Sequence, residues 1–179
     1  MLTITIPEIE LFDDVKQEFT SSKAQTIQLE HSLVSLSKWE SKWLKPFLSK
    51  EKKTATESID YIKCMTITQK VDPEVYQYLP KKILDEVSDY IDAPMTATTI
   101  KSEKTNGSRE IVTSELIYYW MIALNIPFEC QKWHLNRLLT LINVCDIKTR
   151  PPKKMNKKEI INRNKALNAA RRKSANTTG

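Results

Sequence analysis

The sequence contains almost no glycine, since Gly107 and Gly179 are the only two among its 179 residues. Phosphate-binding loops, dinucleotide-binding fingerprints and nucleophile elbows need glycine where the backbone turns sharply or approaches a ligand closely. These motifs cannot be assembled from this chain. The scarcity of glycine therefore argues against the common types of nucleotide-driven enzyme, and we expect a protein that is not an enzyme and uses no cofactor.

Cysteine and long apolar runs are also scarce. The three cysteines, Cys64, Cys130 and Cys145, are odd in number and widely spaced, so they predict no disulfide framework. Free thiols of this kind are typical of a reducing cytoplasm. No stretch approaches the roughly 20 apolar residues that span a bilayer, and the first residues do not form a secretory signal. We expect no membrane association.

Charge is distributed unevenly along the chain. Residues 148–179 hold eleven basic residues and one acid, a net charge of +10, whereas residues 1–147 hold 17 basic and 21 acidic residues, a net charge of −4. Such segregation is typical of a chain with an electrostatic interaction arm. The sequence thus divides into a mildly acidic body, residues 1–147, and a strongly basic tail, residues 148–179.

Two β elements are predicted in the body. Residues 3–12 are rich in large apolar side chains but are interrupted by Pro7, which indicates two short strands or one bent strand. Residues 26–30 alternate apolar and polar side chains and are expected to pair back onto them. A β-hairpin is predicted near residues 97–112, because Asn106-Gly107 between two β-capable runs is a strong turn signal.

The rest of the body is predicted to be helical. A helical apolar pattern follows Ser32, a candidate N-cap, and Pro46 limits that helix. Thr54 and Glu57 have the spacing of a capping box at the start of a second helix. Further helices are expected at residues 80–91, 116–124 and 129–144. The predicted fold class is α+β, mainly α, with a small N-terminal β element.

The tail is predicted to be a basic helix on a proline hinge. Pro151-Pro152 cannot continue a helix, because each proline lacks an amide donor and restricts the residue before it. Residues 156–173 are good helix formers. Their apolar side chains form a thin stripe of Ile160, Ile161, Leu167 and Ala170.

Three interpretations of the tail remain open at this stage. It is a solvated charge run, an arm that binds the phosphates of nucleic acid, or a helix that docks onto an acidic protein, including the body of a neighbouring copy in a homo-oligomer. The apolar stripe favours protein docking, since phosphate binding needs no apolar face. The candidate partner-binding residues are Lys153, Lys154, Lys157, Lys158, Arg163, Lys165, Arg171, Arg172 and Lys173.

Aromatic residues give two further candidates for partner binding, Trp39 and Trp43. They lie at helical spacing beside several lysines, and tryptophan is frequent at interfaces, although a core position is an equally good interpretation. A second aromatic group consists of Tyr118, Tyr119, Trp120, Phe128 and Trp133. Without interleaved arginines, this group indicates packing in the core or in a partner groove rather than stacking on bases.

Cys130 and His134 are four residues apart in a predicted helix, a spacing at which both side chains can contact one zinc ion. Cys145 follows eleven residues later, but a structural zinc site needs four ligands, and only His31 and Cys64 remain as further candidates. A Cys–His nucleophile would require a positioning partner that the sequence does not indicate. We therefore interpret Cys130 as a small core residue and expect no metal.

Three segments resemble a group of small tailed-bacteriophage proteins: residues 29–40, residues 111–142, and the end of the chain. The first reads Leu29-Glu-His-Ser-Leu-Val-Ser-Leu-Ser-Lys-Trp-Glu40, and the second includes Tyr-Tyr-Trp120 and Glu-Cys-Gln-Lys-Trp-His134. The third includes Pro-Pro-Lys-Lys-Met155 and Arg163-Asn-Lys-Ala-Leu-Asn-Ala-Ala-Arg-Arg172. The resemblance covers nearly the whole chain and is nearest to the tail assembly chaperones.

This resemblance implies a protein that keeps the tape-measure protein of a phage tail soluble while tail subunits assemble around it. It implies a place in the cytoplasm of the bacterial host during assembly, with presence in the virion as an alternative. The expected partners are phage tail or other virion proteins, and nucleic acid is the second choice. A head–tail connector or a tail subunit is the alternative function within the virion, and the resemblance transfers no catalytic residue.

Overall fold

The computed structural model describes residues 1–13, 18–100, 111–151 and 156–176. The chain forms two compact units, Met1–Ile147 and Lys148–Gly179. The strands are β1 (Leu2–Ile6), β2 (Ile9–Asp13), β3 (Glu18–Ser22) and β4 (Gln25–Leu29). The α-helices are α1 (Leu33–Trp43), α2 (Ala55–Met65), α3 (Lys81–Asp92), α4 (Ser114–Ala123), α5 (Leu135–Thr149) and α6 (Lys157–Ala175), and the 3₁₀ helices are Pro73–Tyr78 and Phe128–Lys132.

The predicted N-terminal β element is confirmed. β1 pairs antiparallel with β4, with Leu2 opposite Leu29, and β2 pairs antiparallel with β3, with Ile9 opposite Ser22. The break between β1 and β2 falls at Pro7, which cannot donate to a strand ladder. The strand β3 was not predicted, because its sequence Glu-Phe-Thr-Ser-Ser contains a single large apolar residue.

The first two helices begin where their sequence signals lie. The Ser32 side chain caps α1 by accepting a hydrogen bond from the Ser35 backbone N–H, and Thr54 and Glu57 form the expected capping box on α2. α1 ends before Pro46, because Leu44 adopts a left-handed backbone conformation with φ of 54°. Side-chain oxygens thus satisfy amide groups that have no partner within the helix.

The predicted helix over residues 129–144 is wrong at its start. Residues Phe128–Lys132 form a 3₁₀ helix, Trp133 has an extended backbone with ψ of 163°, and α5 begins only at Leu135. The physical reason is a tertiary contact: His134 forms an isolated β-bridge with Ser32, and the Leu135 N–H donates to the His31 carbonyl at 2.7 Å. Pairing with a distant segment replaced the local helical hydrogen bonds.

The core of the body is one cluster of buried apolar side chains from β1, β4 and the helices α1 to α5. The alternation of β1 and β4 puts Ile4, Ile6, Ile27 and Leu29 inside. The fully buried helical residues include Leu33, Leu36, Ile117, Met121, Leu135 and Leu138. The mainly helical α+β class predicted from the sequence is confirmed.

Most of the hairpin predicted near residues 97–112 lies outside the described residues, including its Asn106-Gly107 turn. The described flanks, residues 98–100 and 111–113, have no regular secondary structure. In the C-terminal unit, the predicted tail helix is confirmed as α6, whose first-turn Ile160 N–H donates to the Asn156 carbonyl at 3.0 Å.

Candidate functional site

An open groove of about 730 Å³ lies on the body between α4, α5 and residues 48–51. Its apolar lining consists of Leu48, Ile111, Val112, Trp120, Leu139 and Ile142. Leu48 and Ile111 are exposed, Ile111 at 59% of its surface. An apolar concavity of this size, bordered by exposed apolar side chains, is typical of a binding site.

One buried carboxylate holds two walls of the groove together. Glu40, on α1, accepts a hydrogen bond from the Phe47 N–H at 2.8 Å and another from the Ser114 N–H at 2.7 Å. Phe47 directly precedes Leu48, and Ser114 begins α4. Glu40 therefore fixes the 48–51 segment and the start of α4, although 74 residues separate it from Ser114.

The Phe47 ring anchors the same wall in the core. It stacks on Tyr61 with ring centroids 3.8 Å apart and meets Trp39 edge to face at 5.1 Å. The Lys53 ammonium lies over the Phe47 ring, 4.2 Å from its centroid. Burial lowers the pKa of Lys53, while the nearby Glu57 carboxylate acts in the opposite direction.

The lining of the groove includes one basic and one acidic residue. Lys50 and Glu51 line it, and Lys52 and Lys53 follow directly in the sequence. Among the ion pairs of the described residues, none uses Lys50 or Lys52. By contrast, Lys45 pairs with Glu57 at 2.7 Å. The hydrogen bond from the Lys45 ammonium lowers the pKa of Glu57 to about 2.

Sequence reasoning did not identify the groove, although one signal was present. The segment that forms α4 is apolar on nearly every side, which is more than contact with a single core surface requires. In the structure Ile117 and Met121 face the core, Trp120 faces the groove, and Tyr119 and Ile122 are exposed. The other lining residues come from distant parts of the sequence, so no local pattern brings them together.

The structure separates the two tryptophans proposed as partner-binding residues. Trp39 is only 1% exposed, and its Nε1–H donates to the Glu57 carbonyl at 2.8 Å. It is a core residue, as the alternative interpretation had it. Trp43 is half-buried, stacks on Trp39, and donates from Nε1 to Asp60 Oδ2 at 2.9 Å, while Lys42 pairs with the same carboxylate. Neither tryptophan lines the groove.

The zinc hypothesis loses its geometric basis. Cys130 lies in a 3₁₀ helix and His134 lies between this helix and α5, so they do not share one helix face. Across the part of the chain that the structure describes, no group of three or more His, Cys, Asp or Glu side chains is placed to hold a metal ion. The three cysteines are free thiols.

His134 instead belongs to a buried histidine pair. The His31 and His134 rings lie 5.0 Å apart; His31 Nδ1 contacts the Tyr61 hydroxyl at 2.6 Å, and His134 Nε2 contacts the Tyr90 carbonyl at 3.0 Å. Because a carbonyl only accepts, His134 carries its proton on Nε2, and its Nδ1 accepts from the Asn136 N–H at 3.3 Å. Burial lowers the pKa of His31 to about 3 and also lowers that of His134.

The basic tail residues are found on α6, except Lys153 and Lys154, which lie outside the described residues. The α6 cations are Lys157, Lys158, Arg163, Lys165, Arg171, Arg172 and Lys173, and all are exposed. Glu159 is the one acidic residue in this helix. α6 therefore presents cationic groups around its circumference.

The apolar stripe of the tail is narrower than the sequence interpretation required. At about 100° per residue, Ile160 and Leu167 lie on the same side of the helix, but Ile161 is rotated about 100° from Ile160. All three are exposed, at 44–46% of their surfaces. An aligned pair of large residues is a small apolar face, which weakens the preference for protein docking over phosphate binding.

Over the described residues, no helix is long and apolar enough to cross a membrane. No family model matches the chain, and neither the curated proteins nor the solved structures include one that is significantly similar to it.

Proposed function

We propose that this protein is a phage tail assembly chaperone that binds a helical segment of another protein, the tape-measure protein, through the groove on its body. The observation that carries the proposal is the groove itself. It is open and apolar and has walls fixed by the Glu40 carboxylate. An amphipathic helix that lays its apolar face into such a groove buries leucine-sized side chains at fixed spacing.

The position of the groove supports the phage interpretation. Residues 111–142, the longest segment that resembles tail assembly proteins, supply Ile111, Val112, Trp120, Leu139 and Ile142. The segment of resemblance thus supplies five of the six apolar lining residues. An assembly factor needs such a surface, because a long helical protein exposes apolar faces until its proper partners cover them.

Co-expression tests this function. The tape-measure protein encoded in the same genome is produced with and without this chain, and the soluble fraction is measured after centrifugation. We expect the soluble fraction to rise with the chain and both proteins to co-purify. An unchanged soluble fraction contradicts the proposal. Mass spectrometry of purified particles adds a second arm, since a chaperone is absent from mature virions, whereas a connector or a tail subunit is present.

Nucleic-acid binding by α6 is the second candidate function, and the exposure of α6 favours it. Seven cations and one acid on a fully exposed helix attract a polyphosphate, and the narrow apolar face adds little toward a protein partner. The logarithm of the binding constant for duplex DNA is expected to fall linearly with the logarithm of the salt concentration, with a slope of about −0.9 per phosphate contacted. Lack of DNA binding at low salt eliminates this candidate.

A further inference from the structure

The charged residues beside the groove indicate which kind of helix it receives. Lys50 lines the groove, and Lys52 is exposed two residues later. Within the described residues, no ion pair uses either ammonium group, whereas Lys45 pairs with Glu57. Glu51 is the one carboxylate among the lining residues. A ligand that enters here meets an apolar floor beside residues 50–53, a segment of three lysines and one glutamate.

We propose that the groove binds an amphipathic helix of a partner protein whose apolar face is bordered by aspartate or glutamate side chains. The apolar face covers Leu48, Ile111 and Trp120, and the bordering carboxylates approach Lys50 and Lys52. Complementary charge at the edge of an apolar contact fixes orientation and suppresses partners of the wrong sign. This inference rests on the proposed function, because it specifies the chemistry of the helix bound by the same groove.

The same charges argue against the α6 helix of a second copy as the occupant. In α6, the two aligned apolar residues Ile160 and Leu167 are bordered by Arg163 and Arg171, and the helix contains a single acid. If α6 of a second copy entered the groove, its arginines would approach Lys50 and Lys52. Like charges next to each other at an interface cost affinity. A helix with acidic borders avoids this repulsion.

The probes are two end-blocked, fluorescently labelled peptides of about 20 residues, long enough to form a helix in water. Both have leucines at the same helical spacing; one has glutamate beside the leucine face and the other has lysine at the same positions. Binding to the intact protein is measured by fluorescence anisotropy at about 0.15 M salt, where exposed charges still interact over about 8 Å. We expect the Kd of the acidic peptide to be at least about tenfold lower than the Kd of the basic peptide.

Matched variants locate the binding. Ile111→Asp puts a carboxylate beside the apolar floor and is expected to weaken the acidic peptide about tenfold or more. Tyr119→Asp changes a similarly exposed residue that does not line the groove, and it is expected to leave binding unchanged. The double variant Lys50→Glu, Lys52→Glu is expected to reverse the preference in favour of the basic peptide. Circular dichroism and thermal unfolding verify that each variant is folded.

Three outcomes overturn the inference: equal or tighter binding of the basic peptide, full binding by Ile111→Asp, or a dimer in light scattering that Ile111→Asp dissociates. The last result assigns the groove to a second copy. Co-expression with the tape-measure protein separates this inference from the proposed function. If wild type and Ile111→Asp protect that protein equally, the function stands and the groove is not its site. If wild type does not protect it but binds the acidic peptide, the proposed function fails alone.

Discussion

The body and the tail of this protein are built on opposite principles. In the body, polar groups point inward and link segments that are far apart in sequence, as Glu40 does for Phe47 and Ser114. On α6 the described side chains are exposed, and the Ile160 N–H near its start donates to the nearby Asn156 carbonyl. The first region depends on long-range contacts for its shape, whereas the second depends on helix propensity and charge.

Because of this difference, the loss of a side chain is expected to have different consequences in the two regions. A core side chain in the body contacts several elements, so its loss affects the whole unit. The described side chains of α6 are exposed, so the loss of one is expected to affect binding more than stability. The free energies of unfolding of single-residue variants in the two regions test this contrast.

Trp39→Ala is expected to destabilise the protein by about 3–5 kcal/mol, as is typical of large-to-small changes at buried aromatic residues. The ring contacts Phe47 and Trp43, and its Nε1–H satisfies the Glu57 carbonyl. Urea unfolding followed by tryptophan fluorescence and circular dichroism gives the free energy of unfolding. Trp39→Phe restores part of the packing and is expected to lose less. A loss below about 1 kcal/mol for the alanine variant would place Trp39 outside the core.

Glu40→Ala is expected to cost about 2–4 kcal/mol, because two buried backbone N–H groups lose a charged acceptor at once. Urea unfolding measures the loss. Glu51→Ala removes an exposed carboxylate and serves as the control, with an expected change within about 0.5 kcal/mol. Since Glu40 also positions the groove walls, its variant is expected to bind the acidic peptide more weakly even where it remains folded. Equal stability of the two variants would remove Glu40 from its structural role.

Much of this contrast could be predicted from the sequence, because its signals are local. The capping box at Thr54 and Glu57, the N-cap at Ser32 and the break at Pro7 depend on neighbouring residues, and each is confirmed. The tail helix follows from its composition in the same way. Its assignment to protein docking remains a prediction, since a helix presents the same cations to either partner.

Tertiary contacts account for what the sequence did not predict. The start of α5 was misplaced because His134 bridges to Ser32 across about a hundred residues, a contact without a local pattern. The groove was missed for the same reason, since its walls meet through Glu40. Tryptophan is a residue type that occurs at interfaces as well as in cores, and only the burial of Trp39 decides between the two interpretations.

The histidine pair predicts a dependence of body stability on pH. In the folded state the pKa of His31 is lowered to about 3 from an ordinary value near 6.5, so the unfolded chain binds more protons between these values. Stability is therefore present above pH 6.5 and is lost as the pH falls below it. His31 alone is expected to cost about 2 kcal/mol at pH 5 relative to pH 7.

Urea unfolding at pH 7, 6 and 5 measures this loss. His31→Asn keeps an acceptor near Tyr61 but removes the titrating ring, so its stability is expected to change less over the same range. His134 adds to the loss in wild type, because its protonation would break the hydrogen bond from the Asn136 N–H. A wild-type free energy that is constant from pH 7 to 5 would contradict the assignment of a neutral pair.

The smallest effect is expected in the tail. Leu167→Ala removes an exposed apolar side chain, and alanine has the higher helix propensity, so the free energy of unfolding of the body is expected to change by less than about 0.5 kcal/mol. Thermal unfolding followed by near-ultraviolet circular dichroism, which reports the tryptophans of the body, measures it. If Leu167→Ala destabilises the body by more than 1 kcal/mol, as a core change would, then α6 packs against the body and the two regions are not independent. An unchanged body together with lost partner binding would instead assign Leu167 to an interface.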